Sequence, residues 1–216
     1  MHFKLIIFDF DGTLGDTRRN IVVTMQQTLE AQGLPRKDGN SCASTIGLPL
    51  AGCFRSLLPD ASDEVIGRCV EFYHRQFEIN KDLMPPQMFP HVAEPLERMT
   101  KKGIRMSVAT SRGVESLRDL LTSMGIIKYF DLLLGADSVS RHKPDPEPVL
   151  MTLEKLNINA TDTLVVGDMP VDILMGKGAG CTTCGVTYGN ATREELVESG
   201  ADFIIDDFSS LLLPLF

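Results

Sequence analysis

A chain of 216 residues with 43% hydrophobic and 23% charged side chains has the apolar content for one large domain, or one domain carrying an insertion. Its formal charge of −8 argues against a nucleic-acid or anionic-membrane surface, but leaves room for a locally positive pocket that takes a small anion. The opening Met-His-Phe-Lys lacks a signal-peptide pattern, no apolar run approaches ~18 residues, and five cysteines fit reduced thiols, so a cytoplasmic protein without a membrane span is expected.

The first apolar run, within "KLIIFDFDGTLGDT" at 4–17, reads as a strand that ends in Asp9 and Asp11. From Thr17 to Gly33 the spacing is helical, with Ile21, Met25 and Leu29 on one stripe and Gly33 as the stop. "GLPLAGCFRSLL" and "DEVIGRCVEFYHRQFEI" extend the helical pattern to about residue 80. Residues 17–82 hold no convincing strand and are predicted to form a small helical cap, inserted into a core made of 1–16 and 83–216. "MPPQMFP" at 84–90 is a loop or hinge.

From there helices and strands alternate. "HVAEPLERMTKKG" is predicted as helix and "IRMSVATS" as strand, then "GVESLRDLLTSMG" as helix and "FDLLLGADS" as strand. "PEPVLMTLEKLN" and "TLVVGDM" repeat the pair, as do the stretch to Gly180 and "CTTCGVTYG", with "ADFIID" as a last short strand. Near-continuous apolar strands between helices mean βαβ units and a sheet buried on both faces. The expected fold is α/β: a doubly wound, parallel-sheet, Rossmann-like core with a small α-helical cap inserted after the first strand.

Ligands of such sheets sit beyond the carboxyl ends of the strands. Polar residues fall there repeatedly: Asp9 and Asp11, Thr110 and Ser111, and Gly167 and Asp168, with Lys143 in the loop after "LLLGADS". Clustered carboxylates repel unless a cation joins them, so Asp9, Asp11 and Asp168 point to a Mg²⁺ site. Lys143 adds a fixed positive charge and the Thr110 hydroxyl a donor to a phosphoryl oxygen, which together suit phosphoryl transfer. Gly12 lets the backbone turn sharply and present amides to a phosphate. Either a metal-activated water or a carboxylate can attack phosphorus in such a site.

"DFDGT" at 9–13, "VATS" at 108–111, "KPDP" at 143–146 and "VGDMPVD" at 166–172 resemble the four ordered motifs of the haloacid dehalogenase-like superfamily. The resemblance implies Asp9 as nucleophile, Asp11 as general acid and base, and Thr110 and Lys143 as phosphoryl ligands. It implies Mg²⁺ on the Asp9 side chain, the Asp11 backbone carbonyl and Asp168, supported by Asp172. An aspartate at position 11 favours phosphate esters over dehalogenation, and the chain is most similar to the phosphoglycolate phosphatase branch. That branch overlaps with sugar-phosphate phosphatases, pyrophosphatases, nucleotidases and β-phosphoglucomutases. A small phosphorylated metabolite is the expected partner, for a monomer or homodimer.

"STIGLPLAG" at 44–52 resembles the family's cap loop facing the active site, which makes Gly47 a substrate-side residue. Thr13 and Ser111, within the motifs, and Arg112, directly after one, join the phosphate or substrate candidates. Arg18, Arg19 and Arg55 are candidates for gripping a second anion, against a reading as exposed helix charges. Asp172 has a competing reading as a helix cap. Cys181 and Cys184 form a CxxC with no second pair nearby, which reads as core packing. A non-catalytic phosphate-binding protein on the same scaffold is the opposing class, and intact Asp9 and Asp11 speak against it.

Overall fold

The computed structural model describes residues 3–212, and its first element, β1 (Leu5–Phe8), is buried along its whole length. Four consecutive apolar residues suit a strand covered on both faces, because successive side chains point opposite ways. Leu5 and Ile7 pack with Val149, Val165 and Met175 on one face. Ile6 and Phe8 join Leu96, Val108 and Leu117 on the other. Each fully buried side chain of this kind contributes about 1.5–3 kcal/mol by leaving water.

The chain continues through β2 (Gly15–Asp16), α1 (Arg18–Ala31), α2 (Gly39–Ala43), α3 (Leu50–Leu57), α4 (Asp63–Leu83) and β3 (Gln87–Met88). It then alternates through α5 (Ala93–Lys101), β4 (Arg105–Ala109), α6 (Val114–Ser123), β5 (Leu132–Leu134) and α7 (Glu147–Leu156). The last elements are β6 (Thr163–Gly167), α8 (Pro170–Gly178), β7 (Thr182–Val186), α9 (Arg193–Glu198) and β8 (Phe203–Ile205). The large sheet has the order β5-β4-β1-β6-β7-β8, with every pairing parallel. The strand order reverses at β1, where Ile6 lies opposite Met106 of β4 and Leu164 of β6. The carboxyl ends of these three strands therefore border one crevice.

Between β2 and β3 every named element is a helix. Helix α1 buries Ile21, Met25 and Leu29, and α4 buries Ile66, Cys69, Tyr73 and Phe77, each at three- or four-residue spacing. Within their seam, Asn80 donates to Thr24 Oγ1 at 2.8 Å and to Gln27 Oε1 at 2.7 Å, so the buried amide is satisfied. The apolar interior is continuous from Ile6 and Phe8 through Phe10 and Leu14 to Met25, Phe54 and Phe77 of the helical insertion.

Several boundaries differ from the sequence reading for local reasons. The helix expected from Gly47 starts at Leu50, because Gly47 has φ +102° and Pro49 occupies the N-cap. A short α2 precedes it, capped by Asp38 accepting from the Asn40 and Ser41 amides. The proline-rich hinge contains β3, whose Gln87 and Met88 pair antiparallel with Asp16 and Gly15. Strand "FDLLLGADS" shortens to β5, and a 3₁₀ turn takes Ala136–Ser138. Helix α9 was not anticipated, although Thr192 and Glu195 form its capping box. Cys181 and Cys184 are buried free thiols, both pushed up to about 12 by burial, as suits core residues. No helix among the described residues is long and apolar enough to cross a membrane.

Candidate active site

Asp9 follows directly on β1, Thr110 on β4 and Asp168 on β6, so the sheet itself delivers these side chains to the crevice. Lys143, from the loop before α7, donates to Asp9 Oδ1 at 2.7 Å and to Asp172 Oδ1 at 2.6 Å, with all three residues buried. Asp172 also accepts the Met169 amide through Oδ2 at 3.1 Å, so it caps α8 and faces the cluster at once. Asp168 accepts from the Thr13 hydroxyl at 3.2 Å and from the Asn190 backbone and side-chain nitrogens at 2.8 and 2.9 Å.

This network decides the charges. Burial pushes Asp9 well above the usual carboxylate range, Lys143 pulls it back, and Asp172 and Asp168 push it up further. Burial, reinforced by Asp172, raises Asp168 to about 7 against the donors from Asn190 and Thr13. Burial opposes the Lys143 charge, but Asp172 and Asp9 outweigh it and hold the ammonium above the usual lysine range.

Carboxylate oxygens of Asp9, Asp168 and Asp172 lie within 4.8 Å of one another. Three buried hard-oxygen donors against one ammonium suit a hard divalent cation. Asn190 Oδ1, buried in the residue that donates to Asp168, has no hydrogen-bond partner, an acceptor that a hydrated cation can fill. The carboxylate trio differs from the first expectation in its third member. The Asp11 side chain is held by Arg112, with Nε to Oδ2 at 3.1 Å and Nη2 to Oδ1 at 2.7 Å, and Asp172 takes its place in the cluster.

Asp9 and Asp11 nevertheless line one cavity of about 220 Å³, together with Thr110, Ser111, Arg112 and Gly47. Arg112 is clamped further, by Nη1 donating to Ser116 Oγ at 3.0 Å and by the Phe77 ring of α4 with its centroid 4.6 Å away. The Ser111 hydroxyl donates to the Gly47 carbonyl at 2.6 Å, which ties the insertion to the core across the cavity rim. A side chain at Gly47 would need positive φ and would press on Val171 and Met169, at 3.3 and 3.4 Å.

Other candidates are placed elsewhere. Gly12 and Thr13 do not line the cavity: their amides donate within the turn, to Gly15 and Phe10 carbonyls, and the Thr13 hydroxyl serves Asp168. Gly12 is needed for approach, since at φ +94° a Cβ would fall 2.2 Å from Asp168 Oδ2. Arg18 reaches Asn40 Oδ1 at 3.4 Å on the surface, and Arg55 pairs with Asp63 at 2.6 Å, both away from the site. Arg19 is exposed. The two engaged cations are each captured by an amide or acid of a neighbouring helix, Arg18 by Asn40 of α2 and Arg55 by Asp63 of α4. Asn190, Tyr188 and Phe77 were missed; Tyr188 donates to the Thr13 carbonyl at 2.9 Å and fixes that turn.

A family model described as "Haloacid dehalogenase-like hydrolase" matches residues 6–186, most of the chain and all four motif segments. The protein is a haloacid dehalogenase-like hydrolase. Among the hydrolases it is similar to, "Probable phosphatase IndB" of Dickeya dadantii is 38% identical over 210 residues, covering 96% of this chain and 91% of that one. "Phosphoglycolate phosphatase" of Vibrio parahaemolyticus is 32% identical, covering 97% of this chain and 94% of its own. A solved structure, "Putative haloacid dehalogenase-like hydrolase from Bacteroides fragilis", superposes with a TM-score of 0.92 at 28% identity, over 97% of this chain and 99% of that one. The parallel sheet and its flanking helices are thus those of haloacid dehalogenase-like hydrolases, and the chain is an enzyme of that family.

Proposed function

We propose that this hydrolase is a Mg²⁺-dependent phosphatase that cleaves a small phosphomonoester through a covalent Asp9 phosphate. The observation that carries the reading is the division of labour between two carboxylates: Asp9 is embedded beside Lys143, Asp168 and Asp172, while Asp11 turns to Arg112, yet both face one cavity. On this reading Asp9 is the nucleophile at phosphorus and Asp11 moves the proton at the ester oxygen.

In the first step an Asp9 carboxylate oxygen forms a bond to phosphorus as the bond to the ester oxygen breaks. Asp11 gives a proton to that oxygen, which departs as the alcohol. In the second step Asp11, now a carboxylate, takes a proton from water as the water oxygen attacks the aspartyl-phosphate. The Asp9–phosphorus bond breaks, inorganic phosphate leaves and Asp11 is again protonated. Lys143 and the Thr110 hydroxyl neutralise or bond the phosphoryl oxygens throughout. Mg²⁺ held by Asp9 and Asp168, with the Asp11 carbonyl and the support of Asp172, would supply further charge neutralisation on the phosphoryl group.

The relatives named as phosphatases support this reading. The test is phosphate release from a panel of phosphomonoesters with and without Mg²⁺, in native protein and Asp9→Asn. Release should require Mg²⁺ and fall at least about 10³-fold in the variant. A phosphoenzyme that still formed in Asp9→Asn would refute the nucleophile.

A further inference from the structure

Resting on the phosphatase reading above, the geometry points to a substrate whose leaving group is apolar, about one aromatic ring in size, and free of any second anion. The insertion contributes Ile21, Met25, Leu48, Leu50, Tyr73 and Phe77 to the cavity wall. Among the described residues it places no Lys or Arg there, since Arg18 and Arg55 are engaged outside. Its polar members His74 and Glu78 are exposed residues at the rim. Burial holds the Cys53 thiol and the Tyr73 phenol protonated, so these too leave the wall uncharged.

Arg112 is the one Lys or Arg lining the cavity among the described residues, and it is committed to Asp11, Ser116 and the Phe77 ring. A carboxylate or second phosphate on the leaving group would have to share Arg112 with Asp11, Ser116 and the Phe77 ring, which already hold it. A polyol would exchange water for walls that return few hydrogen bonds. A ring displaces water from the same walls and packs against Ile21, Met25, Leu48 and Leu50. The cavity of about 220 Å³ has room for a phosphoryl group and one ring.

The experiment compares kcat/KM for benzyl phosphate, glucose 6-phosphate and phosphoglycolate, all esters of primary alcohols, in native protein, Asp9→Asn and Leu50→Arg. Benzyl phosphate should lead by about tenfold or more. Leu50 is half-buried, and an arginine there should narrow the benzyl phosphate to phosphoglycolate ratio by about tenfold. Leu48→Lys provides the same test should Leu50→Arg not fold. Asp9-dependent release that favours phosphoglycolate or glucose 6-phosphate, or a ratio unmoved in a folded cap variant, would overturn the substrate class and leave the phosphatase standing. No Asp9-dependent release from any of the three would overturn both.

Discussion

The two ends of the cavity are built on opposite principles. At the strand ends the polar groups are buried, charged and bonded to one another: Lys143 to Asp9 and Asp172, Asn190 and Thr13 to Asp168. At the helical insertion the wall is apolar, and its link to the polar end runs through Arg112 against Phe77 and Ser111 against Gly47. The contrast teaches that reactivity and selectivity are separable here. Buried charges tolerate no missing partner, whereas an apolar wall can be reshaped at the cost of packing alone.

Removing Lys143 attacks the polar end most directly. Lys143→Ala should destabilise the metal-free protein by about 3–5 kcal/mol, because two buried carboxylates lose their ammonium, as read by chemical denaturation. An equally stable variant would mean that the buried ion pairs of Lys143 contribute no net stability. Asn190→Ala removes one of the donors to Asp168, and should raise the Mg²⁺ concentration for half-maximal activity by about 10–100-fold while leaving substrate ranking unchanged.

A gentler probe of the same end is pH. Asp9 and Asp168 hold protons more tightly in the folded chain than in the unfolded one, with Asp168 at about 7 against an ordinary 3.8. The folded state therefore binds the extra protons between those values, and the stability they contribute is lost as pH rises through about 7. Mg²⁺ should then raise Tm more at about pH 8 than at about pH 5.5, and an equal increment at both would contradict the assignment. The smallest effect belongs to the seam between the ends: Ser111→Ala loses one hydrogen bond to Gly47, about 1 kcal/mol, seen as a roughly fivefold rise in KM with kcat little changed.

What the sequence revealed follows the same division. Asp9, Thr110 and Asp168 were legible because apolar runs end on them and strand ends converge by topology, and Lys143 because it is a lone lysine in the loop that follows a strand of the same sheet. The helical character of residues 17–82 was legible from Ile21, Met25 and Leu29, whose spacing reflects a buried face. Asn190 was not, since it sits in a turn without periodicity and its role comes from a contact with a residue 22 positions away. Nor was the Asp11 partner, because the two residues are 101 positions apart: the strand end brings Arg112 to the site, but nothing local says which acid it meets. Position along an element is written locally; which cation meets which anion is settled by tertiary packing.

The β2–β3 ribbon has a mechanical meaning. The chain leaves the core once and returns once, and the two crossings are laced together by Gly15–Met88, Asp16–Gln87 and the Phe89 amide on the Leu14 carbonyl at 3.0 Å. Two straps stitched side by side behave as a single pivot, which permits swinging about their common line and resists sliding or twisting. A swing about that line would retrace one arc and bring Phe77 back to Arg112, and Gly47 back to Ser111, in register.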